Sequence, residues 1–337
     1  MRPTLEEIAR IAQVSVATVS RFYRDKHSVS LESRSKIEHA LEELGFSSEV
    51  LKKRKKKNMT VALLVPDVEN PFFSGLVKNV ELLLSRLSYF LLLCNTSGDV
   101  YLEEKYLDLL EKHHIDGVIL IPSGRSDETF LERVNKASIS IVVLDREVKN
   151  LKVPLILCDN EKGGRMATEY LLRLGKKNIA FISGRKEVST ASGRLLGYRK
   201  ALEENGIAFR EELVFEGDFT FQGGAKAAQS ILSSEIKIDA IFAANDLMAL
   251  GAMEVLKRRG IGIPSEVSII GYDDIWLSRI YEPALATIRQ PVFGMCELAV
   301  NMLLRSIRGE KHALPQKTVL EPELVVRESC IQFSEGG

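Results

Sequence analysis

What this 337-residue chain lacks narrows its identity first. It carries one tryptophan, four cysteines and five histidines. Cys94, Cys158, Cys296 and Cys330 stand far apart without a CxxC pair, which argues against a disulfide framework or a zinc site. Buried thiols in a reducing cytoplasm are expected instead. The histidines form no HxxxH pair, so no metal is expected. No run approaches the roughly 18 uninterrupted apolar residues of a membrane span. The opening stretch MRPTLEEIARIAQ has no apolar core or small-residue cleavage site of the secretory type, so neither export nor a membrane partner is expected. Also missing are a GxxxxGK[ST] loop, a GxGxxG after the first strand candidate, and any Ser/His/Asp or Cys/His constellation. Neither an enzyme nor a cofactor is expected.

Net charge is absent too, with 46 Lys/Arg against 46 Asp/Glu, but the balance is uneven. Residues 1–57 hold thirteen Lys/Arg against eight Asp/Glu, a net +5, which leaves −5 on the remainder. A basic head on an acidic body suggests a polyanion partner for the head. Its sharpest element is Lys52-Lys53-Arg54-Lys55-Lys56-Lys57, which reads equally as a solvated linker. At 45% hydrophobic residues the chain can build full cores, and its length predicts two or more folded units.

The head reads as three short helices. Thr4 and Glu7 form a Thr-x-x-Glu capping box, and Leu5, Ile8, Ala9 and Ala12 follow at helical spacing. Ser15 caps a second helix, Val16 to about Tyr23, with Val16, Val19 and Phe22 inward. Ser30 caps a third, about Leu31 to Leu44, with Ile37, Ala40, Leu41 and Leu44 inward and Gly45 as its stop. A three- or four-residue turn between the first two helices is the helix-turn-helix plan.

From Thr60 onward, apolar β-branched runs alternate with amphipathic stretches. Strands are expected at Val61–Val65, Phe90–Cys94, Gly117–Ile121, Ile141–Leu144 and Leu155–Cys158. A second series follows at Ile179–Ile182, Leu213–Glu216, Ala240–Ala243 and Val267–Ile270, with helices between. The fold class is therefore an all-α head plus an α/β body of two doubly wound parallel-sheet halves. Ligands of such sheets bind beyond the strand carboxyl ends. There stand Pro66 to Phe73, Asn95 to Asp99, Asp145-Arg146, Ser183-Gly184-Arg185, Gly217-Asp218-Phe219, Asn245-Asp246 and Gly271 to Asp274. Singly each has an ordinary reading as a turn, cap or ion pair. Together, carboxylates, amides, arginines and aromatic faces suit a sugar.

Particular words carry a resemblance. Ser15-Val16-Ala17-Thr18-Val19-Ser20-Arg21, Val29-Ser30 and Leu41-Glu42-Glu43-Leu44-Gly45-Phe46 resemble the DNA-binding head of the LacI/GalR family of bacterial transcription regulators. Residues 60–330 resemble the family's periplasmic-binding-protein-like body, through Asn70-Pro71-Phe72-Phe73, Asp159-Asn160, Gly197-Tyr198, Asn245-Asp246, Gly271-Tyr272-Asp273-Asp274 and Thr287-Ile288-Arg289-Gln290-Pro291. The resemblance implies that Val16, Ala17 and Arg21 read bases, while Thr18, Ser20, Ser30 and Arg34 hold phosphates. Lys52, Lys53, Arg54 and Lys55 join them as hinge contacts. Phrases around Cys94 to Asp99, Leu144 to Arg146 and Gly217 to Gly224 are similar to ribose repressors and ribose-binding proteins. They imply a sugar walled by Phe72, Phe73 and Phe219. Its hydroxyls would be bonded by Asp145, Arg146, Arg194, Asn245, Asp273 and Gln290, with Asp99 as a further candidate.

Three departures stand out. Gln13 occupies the turn position where the family usually has Gly, at a cost of about 1 kcal/mol for a left-handed residue. The usual hinge proline is absent and Lys55 stands where a leucine would wedge into the minor groove, so this hinge is expected to hold DNA by charge. Ser192 stands where ribose-type sites often have another Arg.

The resemblance implies a repressor whose affinity for a pseudo-palindromic operator is set by a small sugar, D-ribose, in the body cleft. A hexose, a sugar phosphate or a purine is the alternative effector, and a sugar-binding module without a DNA role is a further one. A homodimer is expected, since no heptad tail follows the body. The expected domains are 1–48 (helix-turn-helix), 49–59 (basic hinge) and 60–330 (effector binding and dimerisation). The halves of the body are expected at about 60–158 with 290–318, and 160–287 with 319–330.

Overall fold

Capping at Thr4 starts the first helix of the chain. The computed structural model describes residues 3–24, 28–44, 59–124, 128–234, 236–310 and 315–331. It divides into two compact units, Met1–Asn58 and Met59–Gly337. The basic run Lys52 to Lys57 and the stop Gly45 lie outside the described residues.

In the first unit, α1 is Leu5–Ile11, α2 is Val16–Arg24 and α3 is Leu31–Glu43. The Thr4 backbone N–H donates to Glu7 Oε2 at 2.8 Å, and Glu7 N–H donates back to Thr4 Oγ1 at 3.2 Å. Such reciprocal bonds satisfy amides that the helix leaves unpaired. Thr18 N–H donates to Ser15 Oγ and Ser33 N–H to Ser30 Oγ, so both expected caps form. Gln13 takes the left-handed conformation expected of it, with φ 52°. Ile8, Ala9, Ala12, Val19, Phe22, Ile37, Ala40 and Leu41 close the small core. Val16 does not join them: it is 43% exposed. At the first position of α2 it projects past the end of the core.

The second unit opens with β1 Thr60–Val65, α4 Pro71–Ser85, β2 Phe90–Asn95, α5 Val100–Lys112, β3 Gly117–Leu120, α6 Glu128–Asn135, β4 Ser140–Leu144 and β5 Leu155–Cys158. Next come α7 Asn160–Arg173, β6 Ile179–Ser183, α8 Ser189–Glu204, β7 Val214–Glu216, α9 Phe221–Ser233, β8 Ala240–Ala243, α10 Asp246–Arg258, β9 Ser268–Asp273, α11 Leu277–Ile280 and β10 Ala286–Arg289. The chain closes with α12 Val292–Ile307, β11 Lys317–Leu320 and β12 Glu323–Val325. Leu213 ends a short 3-10 turn and does not start β7.

One sheet has the order β11-β5-β4-β3-β1-β2 and is parallel throughout. The other has the order β12-β10-β9-β8-β6-β7, parallel except for β12 against β10. In β1, Val61, Leu63 and Val65 pack into one apolar cluster and Ala62 and Leu64 into another. Helices cover both faces, which is why the strand reads as an unbroken apolar run. The chain passes between the halves three times: after β5, at Gln290 after β10, and between β11 and β12. Because β11 runs to Leu320, the last passage falls about two residues beyond the expected 318. All four cysteines are buried and free. Among the described residues no helix is long and apolar enough to cross a membrane.

Candidate functional site

The strand carboxyl ends of both halves face a cavity of about 340 Å³. The first half lines it with Pro66 to Asn70, Phe73, Asn95, Ser97, Gly98, Ser123 and Arg146. Arg185, Val188, Asp218, Phe219 and Thr220 line it from the second. The halves touch at its edge, where Glu147 N–H donates to Ser189 Oγ at 2.8 Å.

Of the ten effector candidates, Phe73, Arg146 and Phe219 line this cavity. Phe219 is held at φ 70°. Its ring lies over Gly184, where a Cβ would come within 2.1 Å of ring Cζ. Only glycine leaves room for that aromatic wall. Phe73 lies beneath the Arg146 guanidinium, 5.4 Å from ring centroid to Cζ. Arg146 Nη1 donates to the Pro122 and Ser123 carbonyls at 2.9 and 3.2 Å, which fixes the side chain. Phe72 packs edge-to-face on Phe73 within the core and is not part of the wall.

Five candidates form a buried layer outside the cavity lining: Asp145, Arg194, Asn245, Asp273 and Gln290. Gln290 Nε2 donates to Asp273 Oδ1 at 2.8 Å, and Arg194 Nη2 lies 3.4 Å from the same oxygen. Arg194 Nε donates to Asn160 Oδ1 at 2.9 Å, and its guanidinium stacks 3.6 Å from the Tyr272 ring centroid. Asn245 caps α10 through Met248 N–H and donates to the Phe219 carbonyl at 2.9 Å, so it holds the aromatic wall. Burial pushes the Asp273 carboxyl up to about 7 against the pull of Arg194 and Gln290. Burial raises Asp145 as well. Asp145 Oδ1, Arg146 Nε and Gln290 Oε1 are buried without a hydrogen-bond partner among the described residues. Buried polar atoms left this way cost free energy until something bonds them. Asp99 caps α5, accepting from Tyr101 N–H at 2.9 Å, and does not line the cavity.

Several lining residues are absent from the candidates read from sequence. Asn95 ends β2, and Asp67, Ser97, Arg185 and Asp218 follow strands, so their position is the available signal. Ser123 sits after β3, and only the burial of its loop marks it.

On the head, Ala17 and Arg21 are exposed beside Val16 on the outer side of α2, with Thr18 and Ser20 half-buried. Among the described residues the Arg21 guanidinium has no hydrogen-bond partner. Ser30 spends its hydroxyl on the α3 cap, and Arg34 Nε pairs with Glu38 at 3.2 Å. An outward arginine with small apolar neighbours at the start of a second helix can reach base edges. Lys52, Lys53, Arg54 and Lys55 lie outside the described residues.

Comparison with known proteins decides the family. Residues 4–49 match the family described as bacterial regulatory proteins, lacI family, and residues 58–315 match periplasmic binding proteins and sugar binding domain of LacI family. The chain belongs to the LacI family. A ribose operon repressor of Halalkalibacterium halodurans is 36% identical over 329 residues, covering 97% of this chain and 96% of that protein. The transcriptional repressor PurR of Vibrio campbellii is 34% identical over 328 residues, covering 96% and 97%. A crystal structure of a LacI family regulator from Enterococcus faecium with bound ribose has a TM-score of 0.73 and 29% identity, covering 82% of this chain and all of that one. As a LacI-family member this chain is a DNA-binding transcriptional regulator with a sugar-binding domain, and not an enzyme.

Proposed function

We propose that this regulator is a repressor whose hold on a pseudo-palindromic operator is set by a small sugar of the ribose type, bound in the cleft between the body halves. The observation that carries this reading is the composition of the cavity. Phe73 and Phe219 offer faces for C–H surfaces, and Asp67, Asn95, Arg146 and Asp218 offer groups for hydroxyls. A volume of about 340 Å³ is at the small end of ligand pockets, roughly 300–1,000 Å³, and suits a monosaccharide. Similarity to a ribose operon repressor and to a regulator with bound ribose supports the same class.

A homodimer supports two heads on two half-sites. The edge strand β2 favours it: Phe90 is 75% exposed, and Leu92 and Leu93 are exposed beside it. An open apolar edge of this kind is normally covered.

The test is thermal unfolding of the full chain against pentoses, hexoses, their phosphates and purine bases, followed by operator binding with the ligand that responds. A ligand at about a hundred times its Kd adds roughly 2.7 kcal/mol. A shift with a ribose-type ligand that also changes operator affinity supports the reading. A shift with hexoses or purines alone replaces the effector and keeps the regulator.

A further inference from the structure

The charged groups of the cleft are unequally partnered. Asp67 of the first half accepts from Glu69 N–H at Oδ1 at 2.9 Å, and Asp218 Oδ1 of the second half accepts from the Thr220 amide and hydroxyl at 2.9 and 2.6 Å. Each carboxylate braces its own turn and keeps its second oxygen for a hydroxyl. The cationic groups are not balanced in this way. Arg185 lines the cavity, yet its guanidinium has no hydrogen bond or ion pair among the described residues. It reaches toward the first half, where a Cβ added at Gly98 would meet its Nη1 at 3.5 Å.

Arg146 is more than nine-tenths buried and lines the same cavity. Its Nη1 is used by two carbonyls, whereas its Nε and Nη2 have no hydrogen-bond partner among the described residues. Asp145 is its nearest counter-charge, at 3.7 Å. Burial lowers the Arg146 pKa, and the positive charges of Arg194 and Arg185 lower it further. Val188, the N-cap residue of α8, also lines the cavity, and the helix has no side-chain cap there. The Ser189 hydroxyl is taken by Glu147 of the other half. The positive end of this sixteen-residue helix therefore adjoins the cavity lining.

We infer that the effector carries an anionic group, a phosphate or a carboxylate on a sugar frame, seated between Arg185, Arg146 and the start of α8. This inference rests on the cleft being the effector site. The Asp67 and Asp218 carboxylates then take hydroxyls, and the Arg146 and Arg185 guanidinium groups take the anion. Arg185 is the specificity-determining residue, because among the described lining residues it is the cation from the second half without a hydrogen bond or ion pair. Anion binding also draws Arg185 and Arg146 together from opposite halves, which favours the closed cleft.

The experiment is calorimetric titration of the full chain with D-ribose, ribose 5-phosphate, D-ribonate and inorganic phosphate, repeated for Arg185→Gln and Arg185→Lys. Ribose 5-phosphate or ribonate is expected to bind at least about tenfold tighter than D-ribose, an advantage that shrinks with salt. Arg185→Gln should abolish most of that advantage and Arg185→Lys should keep part of it. Which of the two acids binds better identifies phosphate or carboxylate. Tighter binding of D-ribose than of both acids overturns the inference and leaves the sugar reading standing. An anion advantage unchanged in Arg185→Gln overturns the seat proposed for it. Binding of none of the four probes overturns the inference and the ribose reading together.

Discussion

Glu103, fully buried on α5, accepts a 2.6 Å hydrogen bond from the backbone N–H of Ser123. Ser123 lines the cleft, and its carbonyl receives Arg146 Nη1. A carboxylate outside the cavity thus sets the corner that orients a cavity arginine. Burial pushes the Glu103 carboxyl up to about 7, with Ser123 and Arg146 pulling the other way.

This predicts an unusual pH dependence of stability. In the unfolded chain a Glu titrates near about 4.3, so the folded state holds a proton that the unfolded chain releases. Stability from this group is complete below pH ~4.3 and is lost as pH rises through about 7. Asp273, also raised to about 7, acts in the same direction. Chemical denaturation between pH 5 and 8 should show wild-type stability falling. Glu103→Gln should flatten part of that slope, by up to ~3 kcal/mol across the range. A parallel pH profile in the variant would remove Glu103 as the cause.

Gly184→Ala should damage the aromatic wall without unfolding the body. The new methyl lands on the Phe219 ring, which must swing away. Overpacking of this kind costs about 1–3 kcal/mol. The expected result is a folded protein whose effector-induced rise in melting temperature is largely abolished. Phe219→Ala should reproduce the weakened response.

Arg21→Ala tests the reading face of α2. An exposed arginine paired to guanine contributes about 1–3 kcal/mol of discrimination. Competition assays should show weaker operator binding together with relaxed preference at one base pair per half-site. A uniform weakening across all sequences would make Arg21 a phosphate-binding residue.

The basic run can be separated from base reading by salt. Replacing Lys52, Lys53, Arg54 and Lys55 by Gln should reduce the slope of log affinity against log salt by up to ~4 per chain, about 0.9 for each phosphate no longer neutralised. Sequence preference should survive. An unchanged slope would return these residues to the role of a solvated linker.

How legible the molecule is in its sequence depends on distance along the chain. The capping box at Thr4 and the caps at Ser15 and Ser30 involve residues three apart, and all appear as read. Val16 faces out where its spacing suggests it faces in, because helical spacing gives an angle around the axis and not where the core ends. The alternating strands are clear because both faces of each sheet are covered. Helix α12 does not stand out in the sequence, although it covers β3, β4 and β5. In the cleft, position after a strand identifies the neighbourhood but not the depth. Hence Asp273 and Gln290 are candidates although they lie outside the lining, while Arg185 on the lining is not among them. Asp99 shows why type alone misleads, since a carboxylate before a helix serves equally as a cap or a ligand. Glu103 lies within an ordinary Glu-Glu helical pattern, and its burial is a property of the fold.

The three passages between the halves bear on how this protein is made. When synthesis has delivered residues up to Arg289, the second sheet has every strand except β12. The first sheet, begun more than 200 residues earlier, still lacks its edge strand β11 and the cover provided by α12. The part of its apolar face that α12 covers stays open until residues 292–307 emerge. The half that starts first is therefore still open when the second needs only β12, and nascent chains stalled near Gln290 should be the ones most in need of a chaperone.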